Sequence, residues 1–294
     1  MSVSAGVRAL EEGRAFAHLA GWLTVTISGS DAIGWLNDLV TNRVDDIGPN
    51  ELRRTLFLDR TGRVRADFHV ETTQDRDGAP AGFLAYQDPA QPFRIDELLS
   101  PYLLSSEVDL RAEPDAIGVA VINSDISQVQ FMAWPGPRDR IGWFPAIPDD
   151  PESGLQAARQ YDEMTEATAE DAEVYRIRRG VPRFGVDFGE DWLPAEVGFE
   201  DLIDTGKGCF LGQESVAKVR NLGHPPRLVL PFQTGERVYP MAQVTADGEP
   251  VGRITSVAPL DDGGTAAVGW IKWDARDAEL SVDTGASLAV RDAV

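Results

Sequence analysis

The residues most able to do chemistry in this sequence surround its single cysteine, Cys209. Three glycines and a lysine lie close to it: Gly206, Gly208, Gly212 and Lys207. A stretch compatible with a helix then begins at Gln213 and ends near Gly223. Clustered glycines indicate tight backbone geometry or the close approach of a ligand. Because a nearby ammonium group and a helix N-terminus both lower the pKa of a thiol, this segment could present a reactive thiolate, an effect that Glu214 in the first turn would oppose.

Two other interpretations of Cys209 remain open. A lone cysteine can be a small buried apolar side chain with no chemical task. A cysteine nucleophile in a hydrolase or acyl-transferase needs a histidine base, and the nearest in sequence is His224, which nothing in the sequence places beside the sulfur. The histidines His18, His69 and His224 are scattered, so we expect no metal site built from protein ligands. Because the chain has a single cysteine, we also expect no internal disulfide.

The composition limits the classes of function. The 294 residues are 43% hydrophobic, which is enough for a core of ordinary size. The formal net charge of -21 repels phosphate backbones, so we expect no direct nucleic-acid binding, and any local excess of positive charge is a candidate site for an anion. The sequence has no run of roughly 18 continuous apolar residues and no signal-peptide pattern at its start. We therefore expect a cytoplasmic protein without a membrane span.

Apolar periodicity predicts the elements of the N-terminal part. Alternation over 22–27 predicts a strand, and helical spacing over 31–40 predicts a helix that leads into the loop Thr41-Asn42-Arg43. A hairpin follows, with strands over 52–58 and 63–71.

The second strand of this hairpin has one apolar and one polar face. Its apolar face consists of Val64, Ala66, Phe68 and Val70, and its polar face of Arg63, Arg65, Asp67, His69 and Glu71. The polar face has two interpretations: a solvated outer surface, common in antiparallel sheets, or a wall that faces a ligand.

The remaining sequence predicts an α+β chain that ends in a small all-β module. We expect a loop over 72–81, a helix over 95–103, strands around 116–122, 128–133 and 140–146, a loop near 149–154, and a helix that ends at Gly180. After Pro225 the sequence changes to short alternating runs separated by Gly, Pro and Asp, which is typical of a small all-β module.

The segment Lys207-Gly208-Cys209-Phe210-Leu211-Gly212-Gln213-Glu214 resembles the signature of the folate-binding YgfZ-type proteins of the aminomethyltransferase superfamily. That signature is Lys-Gly-Cys-aromatic-any-Gly-Gln-Glu with a basic residue soon after, here Lys218. Arg176 to Pro182 and Pro194-Ala195-Glu196 resemble two upstream segments of the same family. Residues 29–42 and 58–67 resemble the opening of the glycine cleavage T-protein.

The resemblance implies a fold, a ligand and a set of site residues. The fold would be an α+β body of two intertwined subdomains over residues 1–224, around a central folate cavity, with a C-terminal β-barrel over 225–294. The ligand would be tetrahydrofolate or a derivative. The folate contacts that the resemblance implies are Asn42, Arg65, Asp67, Trp143, Arg176 and Glu196. Cys209 would be the working thiol, and Lys207 would tune its reactivity. The other signature positions of the loop are Gly208, Phe210, Gly212, Gln213 and Glu214.

Four positions depart from the T-protein or YgfZ patterns. The hairpin strand has Ala66-Asp67 where T-proteins have two adjacent acids, and the segment Gly142-Trp143-Phe144 lacks the glutamate of its T-protein counterpart. Arg43 replaces an aspartate, and Lys218 replaces the commoner arginine. The missing acids argue against aminomethyl transfer.

The sequence therefore supports three hypotheses. The first is a tetrahydrofolate-binding, monomeric accessory protein for the assembly or repair of iron–sulfur enzymes, including those that modify tRNA, with reduced folate and iron–sulfur client or assembly proteins as partners. In it, Gln213 and Glu214 fix the loop. The alternative is a folate-dependent one-carbon transferase or demethylase. The third is a scaffold that keeps the fold and binds no folate.

Overall fold

An eight-stranded sheet forms the body of the protein. The computed structural model describes residues 3–48, 51–122, 130–133, 140–143 and 164–291. The body strands are β1 (Ala15–Ser28), β2 (Arg53–Leu58), β3 (Val64–Gln74), β4 (Pro80–Gln87), β5 (Asp109–Ile122), β6 (Gln130–Ala133), β7 (Arg140–Trp143) and β8 (Thr165–Ala167). They are ordered β2-β3-β4-β1-β5-β7-β6, and β8 pairs with β1 in parallel.

Two helices cover one face of this sheet. They are α2 (Ala32–Leu39) and α3 (Ile95–Leu99). A further helix, α1 (Ala5–Glu11), precedes β1. Leu36 and Ile95 pack with Phe68 in one apolar cluster, and all three are fully buried. Burying one side chain of this size contributes about 1.5–3 kcal/mol to the stability of the fold. Ala66, Phe68 and Val70 of the apolar face predicted for β3 are confirmed as members of this cluster, whereas Val64 is buried in a second apolar cluster.

The opposite face of the sheet meets a second helix layer and the barrel. Here α4 (Ala169–Arg178) begins with a capping box in which Asp171 and Thr168 bond each other's backbone amides. It ends before Gly180, whose φ of +74° is in the left-handed region that glycine adopts without strain. The predicted end of this helix is confirmed, whereas α1 was not predicted.

A closed six-stranded barrel ends the chain. Its strands are β9 (Arg227–Thr234), β10 (Gln243–Ala246), β11 (Glu249–Pro259), β12 (Thr265–Lys272), β13 (Leu280–Val282) and β14 (Ser287–Val290), in the order β10-β11-β12-β9-β14-β13. The predicted α+β class with a C-terminal barrel is confirmed. The division into 1–224 and 225–294 stays a prediction.

Some predicted boundaries differ from the structure. The predicted loop over 72–81 is partly wrong, because β3 continues to Gln74 and β4 begins at Pro80. The loop near 149–154 and Phe144 lie outside the described residues. None of the helices in the described ranges combines the length and the apolar composition that crossing a bilayer requires.

Candidate functional site

The segment around Cys209 forms a loop that ends at the N-terminus of a helix. Two short helices bound the region: α5 (Pro194–Val197) and α6 (Gln213–Leu222). The predicted start of the second helix is confirmed. Gly208 and Gly212 have φ values of +107° and +83°, so both adopt backbone conformations that other residues reach only with strain.

Gly212 packs directly on the turn between β2 and β3. A Cβ atom on Gly212 would lie 2.5 Å from the carbonyl oxygen of Asp59 and 3.3 Å from the Cα of Gly62. The hydroxyl of Ser215 donates to the Arg60 carbonyl at 3.2 Å. The N-terminal end of α6 is therefore seated on the hairpin.

Cys209 lies on the surface between anchored neighbours. It is a free, exposed cysteine, so the interpretation as a buried apolar side chain is wrong. Phe210 is only 7% exposed and belongs to an apolar cluster with Leu58 and Phe184, while Leu211 packs on the core under the sheet. These two apolar side chains hold the loop down while the thiol stays accessible.

Lys207 joins this loop to the loop after α2. Its ammonium donates to the carbonyl oxygens of Val40 at 2.6 Å and Asn42 at 2.7 Å. Burial lowers the pKa of Lys207 to about 8, against the attraction of nearby acids such as Asp204. The backbone carbonyls are the closest described partners of this ammonium, and its predicted tuning of Cys209 stays a prediction.

Further contacts tie the same two loops together. The Arg43 guanidinium donates to Asp204 at 3.0 Å, which holds the pKa of that carboxyl below its ordinary value, with the Gly206 amide as the larger cause. The buried Thr41 hydroxyl donates to the Leu202 carbonyl at 2.7 Å. Arg43, which departs from the family pattern, thus has a partner, Asp204, three residues before the signature segment.

The side chain of Asn42 forms hydrogen bonds with nearby backbone groups. Its side-chain amide donates to the Arg54 carbonyl at 3.1 Å, and its side-chain oxygen accepts from the Arg43 amide at 2.9 Å. The structure brings Asn42 to Lys207 and, through these bonds, to the start of β2.

The two polar residues that open α6 behave differently. The Gln213 side-chain oxygen accepts from the Phe210 amide at 3.4 Å, a long bond that supports its predicted part in fixing the loop. Glu214 is exposed and pairs with Lys218 at 2.7 Å, one turn along the helix. This pair lowers the pKa of Glu214 and lies on the solvent side of α6.

His224 lies at the opposite end of α6 from Cys209. Its ring stacks on Trp273 with centroids 4.9 Å apart. The ten residues of the helix span about 15 Å. The described contacts of the His224 ring are with Pro225 and Trp273, so the structure gives no support to a cysteine–histidine pair.

Much of the polar face of β3 is buried, so its interpretation as a solvated surface is wrong for Asp67, His69 and Glu71, whereas Arg63 and Arg65 are only partly buried. Asp67, His69 and Glu71 are each 7% exposed or less. The Arg54 guanidinium donates two hydrogen bonds to Asp67, at 2.8 and 2.5 Å, and lies 4.4 Å from the centre of the Phe199 ring. Arg54 was not among the predicted site residues, although its pairing with His69 across the predicted hairpin was an available signal.

The cavity beside Asp67 is small. Its volume is about 20 Å³, and its walls include Trp22, Arg54, Gln91 and Arg183. That is room for a water molecule, whereas ligand sites enclose roughly 300–1,000 Å³. The carboxylate, guanidinium and amide groups have the types that folate needs, but around this cavity they bond one another.

Two other predicted folate contacts, Arg65 and Glu196, also have protein partners. Arg65 pairs with Glu190 at 3.1 Å. Glu196 is 1% exposed, accepts from Arg227 at 2.8 Å and from the Leu193 amide at 2.6 Å, and so links α5 to the barrel. These predicted contacts therefore stabilise the fold in the arrangement that the structure describes.

Arg176 lies at the centre of a buried polar network. It is fully buried and donates to Asp187 at 2.6 Å, to Glu173 at 2.6 and 2.9 Å, and to Ser256 of the barrel at 3.1 Å. Asp187 was not among the predicted site residues. Trp143 lies on β7 in register with Ala120 and Gln130.

Comparison with known proteins finds similarity to proteins of three names: IBA57 homologs, YgfZ and aminomethyltransferase. The chain matches no family model. It is 28% identical over 82% of its length to the mitochondrial iron–sulfur cluster assembly factor IBA57 homolog of Pyricularia oryzae, of which the match covers 66%, just under two thirds. It is 24% identical over 76% of its length to the tRNA-modifying protein YgfZ of Sodalis glossinidius, of which the match covers 72%.

A solved structure shows the same fold. The glycine cleavage system aminomethyltransferase T of Bartonella henselae superposes with a TM-score of 0.76, at 14% identity, over 97% of this chain and 88% of that one. The chain is therefore a relative of the IBA57, YgfZ and aminomethyltransferase proteins and has the aminomethyltransferase fold, consistent with the YgfZ-type proteins that its signature resembles.

Proposed function

We propose that the protein is a tetrahydrofolate-binding accessory factor for the assembly or repair of iron–sulfur clusters, and that it thereby supports iron–sulfur enzymes that modify tRNA. The observation that carries the proposal is the exposed Cys209, held on a firmly seated loop in a chain whose relatives are named as an iron–sulfur assembly factor and a tRNA-modifying protein. Thiolates are strong ligands and nucleophiles, so an accessible cysteine suits transient contact with a client protein.

The construction of the loop supports this use of Cys209. Phe210 is buried on one side, and Lys207 is bonded to two carbonyls on the other. A thiol held in this way is presented to a partner in one position, which lowers the entropy lost on contact. We propose that the protein acts as a monomer in the cytoplasm, although one relative is named as mitochondrial.

Folate binding requires rearrangement around Asp67. The groups of suitable chemistry there are paired, Asp67 with Arg54 and Arg183 with Asp88, and the cavity between them is about 20 Å³. A folate that binds here must separate these pairs and widen the cavity.

The alternative function, one-carbon transfer or demethylation, has weaker support. It needs a carboxylate beside the folate, and Asp67 is occupied by a bidentate contact with Arg54. The residue before it, Ala66, provides no second acid. Turnover of a methylamine donor by purified protein, abolished in Asp67→Asn, would favour this alternative.

Complementation tests the thiol. Cys209→Ala should keep the wild-type melting temperature, because the side chain is exposed, and should lose the ability to restore an iron–sulfur enzyme in cells that lack their own YgfZ-type protein. Ser215→Ala, on the hairpin side of α6, is the matched control and should complement. Full complementation by Cys209→Ala would contradict the proposed use of the thiol.

A thermal-shift series with reduced folates tests the ligand. Tetrahydrofolate at about 100 times its dissociation constant should stabilise the protein by about 2.7 kcal/mol. The absence of any shift, together with normal unfolding, would favour the scaffold hypothesis.

A further inference from the structure

A groove of about 510 Å³ lies beside the loop that carries Cys209. One wall is α6, and the other is formed by residues between Leu193 and Thr205. Thr205 lies four residues before Cys209 in the same loop, so the groove borders the loop that carries the exposed thiol.

The walls of the groove are largely apolar. Val216 and Val219 are three residues apart and therefore lie on the same side of α6. Ile203 and Pro194 face the groove from the other wall. Ile203 and Val216 also pack against the apolar cluster under the barrel, so the surface is backed by a rigid core rather than by a loop alone.

Two adjacent acids border these apolar walls. Glu200 and Asp201 both line the groove, and among the described side chains neither has a cationic partner within 4.0 Å. Neighbouring acids differ in this respect, since Glu190, Glu196 and Asp204 each pair with an arginine. Glu200 and Asp201 thus form an uncompensated negative site.

The carboxyl of Glu200 already loses part of its hydration to the protein around it. This burial raises its pKa, and the negative charge of Asp201 acts in the same direction. A cation placed against both carboxylates would relieve the desolvation and the repulsion together. Arg220 lines the same groove from α6, which disfavours a uniformly basic occupant.

We propose that this groove is a docking site for a segment of a partner protein that presents a Lys or Arg side chain next to an apolar side chain. The inference rests on the proposed function, because the partner would be an iron–sulfur client or assembly protein brought to Cys209. The net charge of -21 also favours encounter with partners of opposite charge.

Matched synthetic peptides test the groove. The probes are three labelled nonapeptides of equal length that contain lysine and leucine, glutamate and leucine, or lysine and serine. The lysine–leucine peptide should bind the full chain about tenfold more tightly than either of the others, by fluorescence anisotropy. Its amide chemical-shift changes should fall on 193–205 and 216–223.

A pair of charge-matched variants separates the groove from the general negative charge. Glu200→Gln with Asp201→Asn should weaken binding of the lysine–leucine peptide about five- to tenfold and leave the melting temperature unchanged. Asp247→Asn with Glu249→Gln removes two exposed acids from the barrel and should leave binding unchanged. Equal weakening by both pairs, equal binding of the glutamate–leucine peptide, or shift changes outside the groove would overturn the proposal.

This test is independent of the proposed function. If peptide binding fails while complementation still depends on Cys209, the groove is excluded and the function stands. If the groove binds the peptide while Cys209→Ala complements fully, the proposed use of the thiol fails and the groove is retained as a binding site.

Discussion

Gly62 and Gly212 face each other where the β2–β3 turn meets the start of α6. A Cβ on Gly62 would lie 2.9 Å from the Cβ of Ser215, and a Cβ on Gly212 would lie 3.3 Å from the Cα of Gly62. Both have positive φ, at +81° and +83°. Two glycines far apart in sequence therefore form one junction that seats the Cys209 loop on the sheet.

Gly212→Ala should destabilise the protein and displace the loop. The new Cβ would meet the Asp59 carbonyl oxygen at 2.5 Å, and alanine is strained at this φ, so we expect a loss of about 2–3 kcal/mol. Urea unfolding would measure the loss.

The control for this variant is Gly34→Ala, within α2. No atom lies within 4 Å of its added Cβ, so the substitution should be neutral or stabilise by about 0.5–1 kcal/mol. A Gly212→Ala protein as stable as Gly34→Ala would show that the junction is not tight.

Lys207→Met should loosen the contact between the two loops. It removes both hydrogen bonds to the carbonyls of Val40 and Asn42, and we expect a loss of about 1–3 kcal/mol. Amide hydrogen exchange should rise in 40–43 and 204–209. Lys218→Met is the control, because its pair with Glu214 is exposed to solvent and surface ion pairs contribute little to stability. Unchanged hydrogen exchange in both loops would contradict a stabilising role for the two Lys207 hydrogen bonds.

The protonation of Lys207 should give a pH dependence. Its pKa falls from 10.5 to about 8 on folding because of burial, so between these values the unfolded chain binds more protons than the folded one. Stability must then rise with pH in that window. The free energy of unfolding of the wild type minus that of Lys207→Met should therefore increase from about pH 8 to about pH 10. Urea unfolding at several pH values would measure it, and a flat or falling difference would reject the lowered pKa.

Asp67→Asn should be among the more damaging single substitutions on the sheet. It removes the charge partner of Arg54 in a pair whose side chains are only 8% and 9% exposed, and we expect a loss of about 3 kcal/mol by thermal or urea unfolding. Glu249→Gln, which changes an exposed acid of the barrel, should have little effect.

A double variant tests the reason for that loss. Arg54→Met with Asp67→Leu removes both charges and should be more stable than Asp67→Asn alone, because no unpaired charge remains buried. If the double variant were less stable than Asp67→Asn, the Arg54–Asp67 pair would stabilise the fold by more than the neutralisation of two buried charges.

Elements that depend on local patterns were predictable. The hairpin, α2, the glycine end of α4 and the barrel all follow from apolar periodicity and turn residues, which act over a few neighbouring positions. The polar face of β3 was not predictable in the same way. Whether Asp67 faces water or a buried arginine depends on Arg54 and on segments that come from elsewhere in the chain.

Local residue patterns were enough to predict the α+β class, the resemblance to YgfZ-type proteins and a candidate site over Lys207 to Glu214. The folded chain was needed to show that Cys209 is exposed, that Lys207 bonds the loop after α2, and that Glu196 contacts the barrel. The physical reason is that residue types and spacings specify backbone geometry locally. Exposure, ion pairing and the pKa of a side chain are set by atoms that folding brings from distant positions.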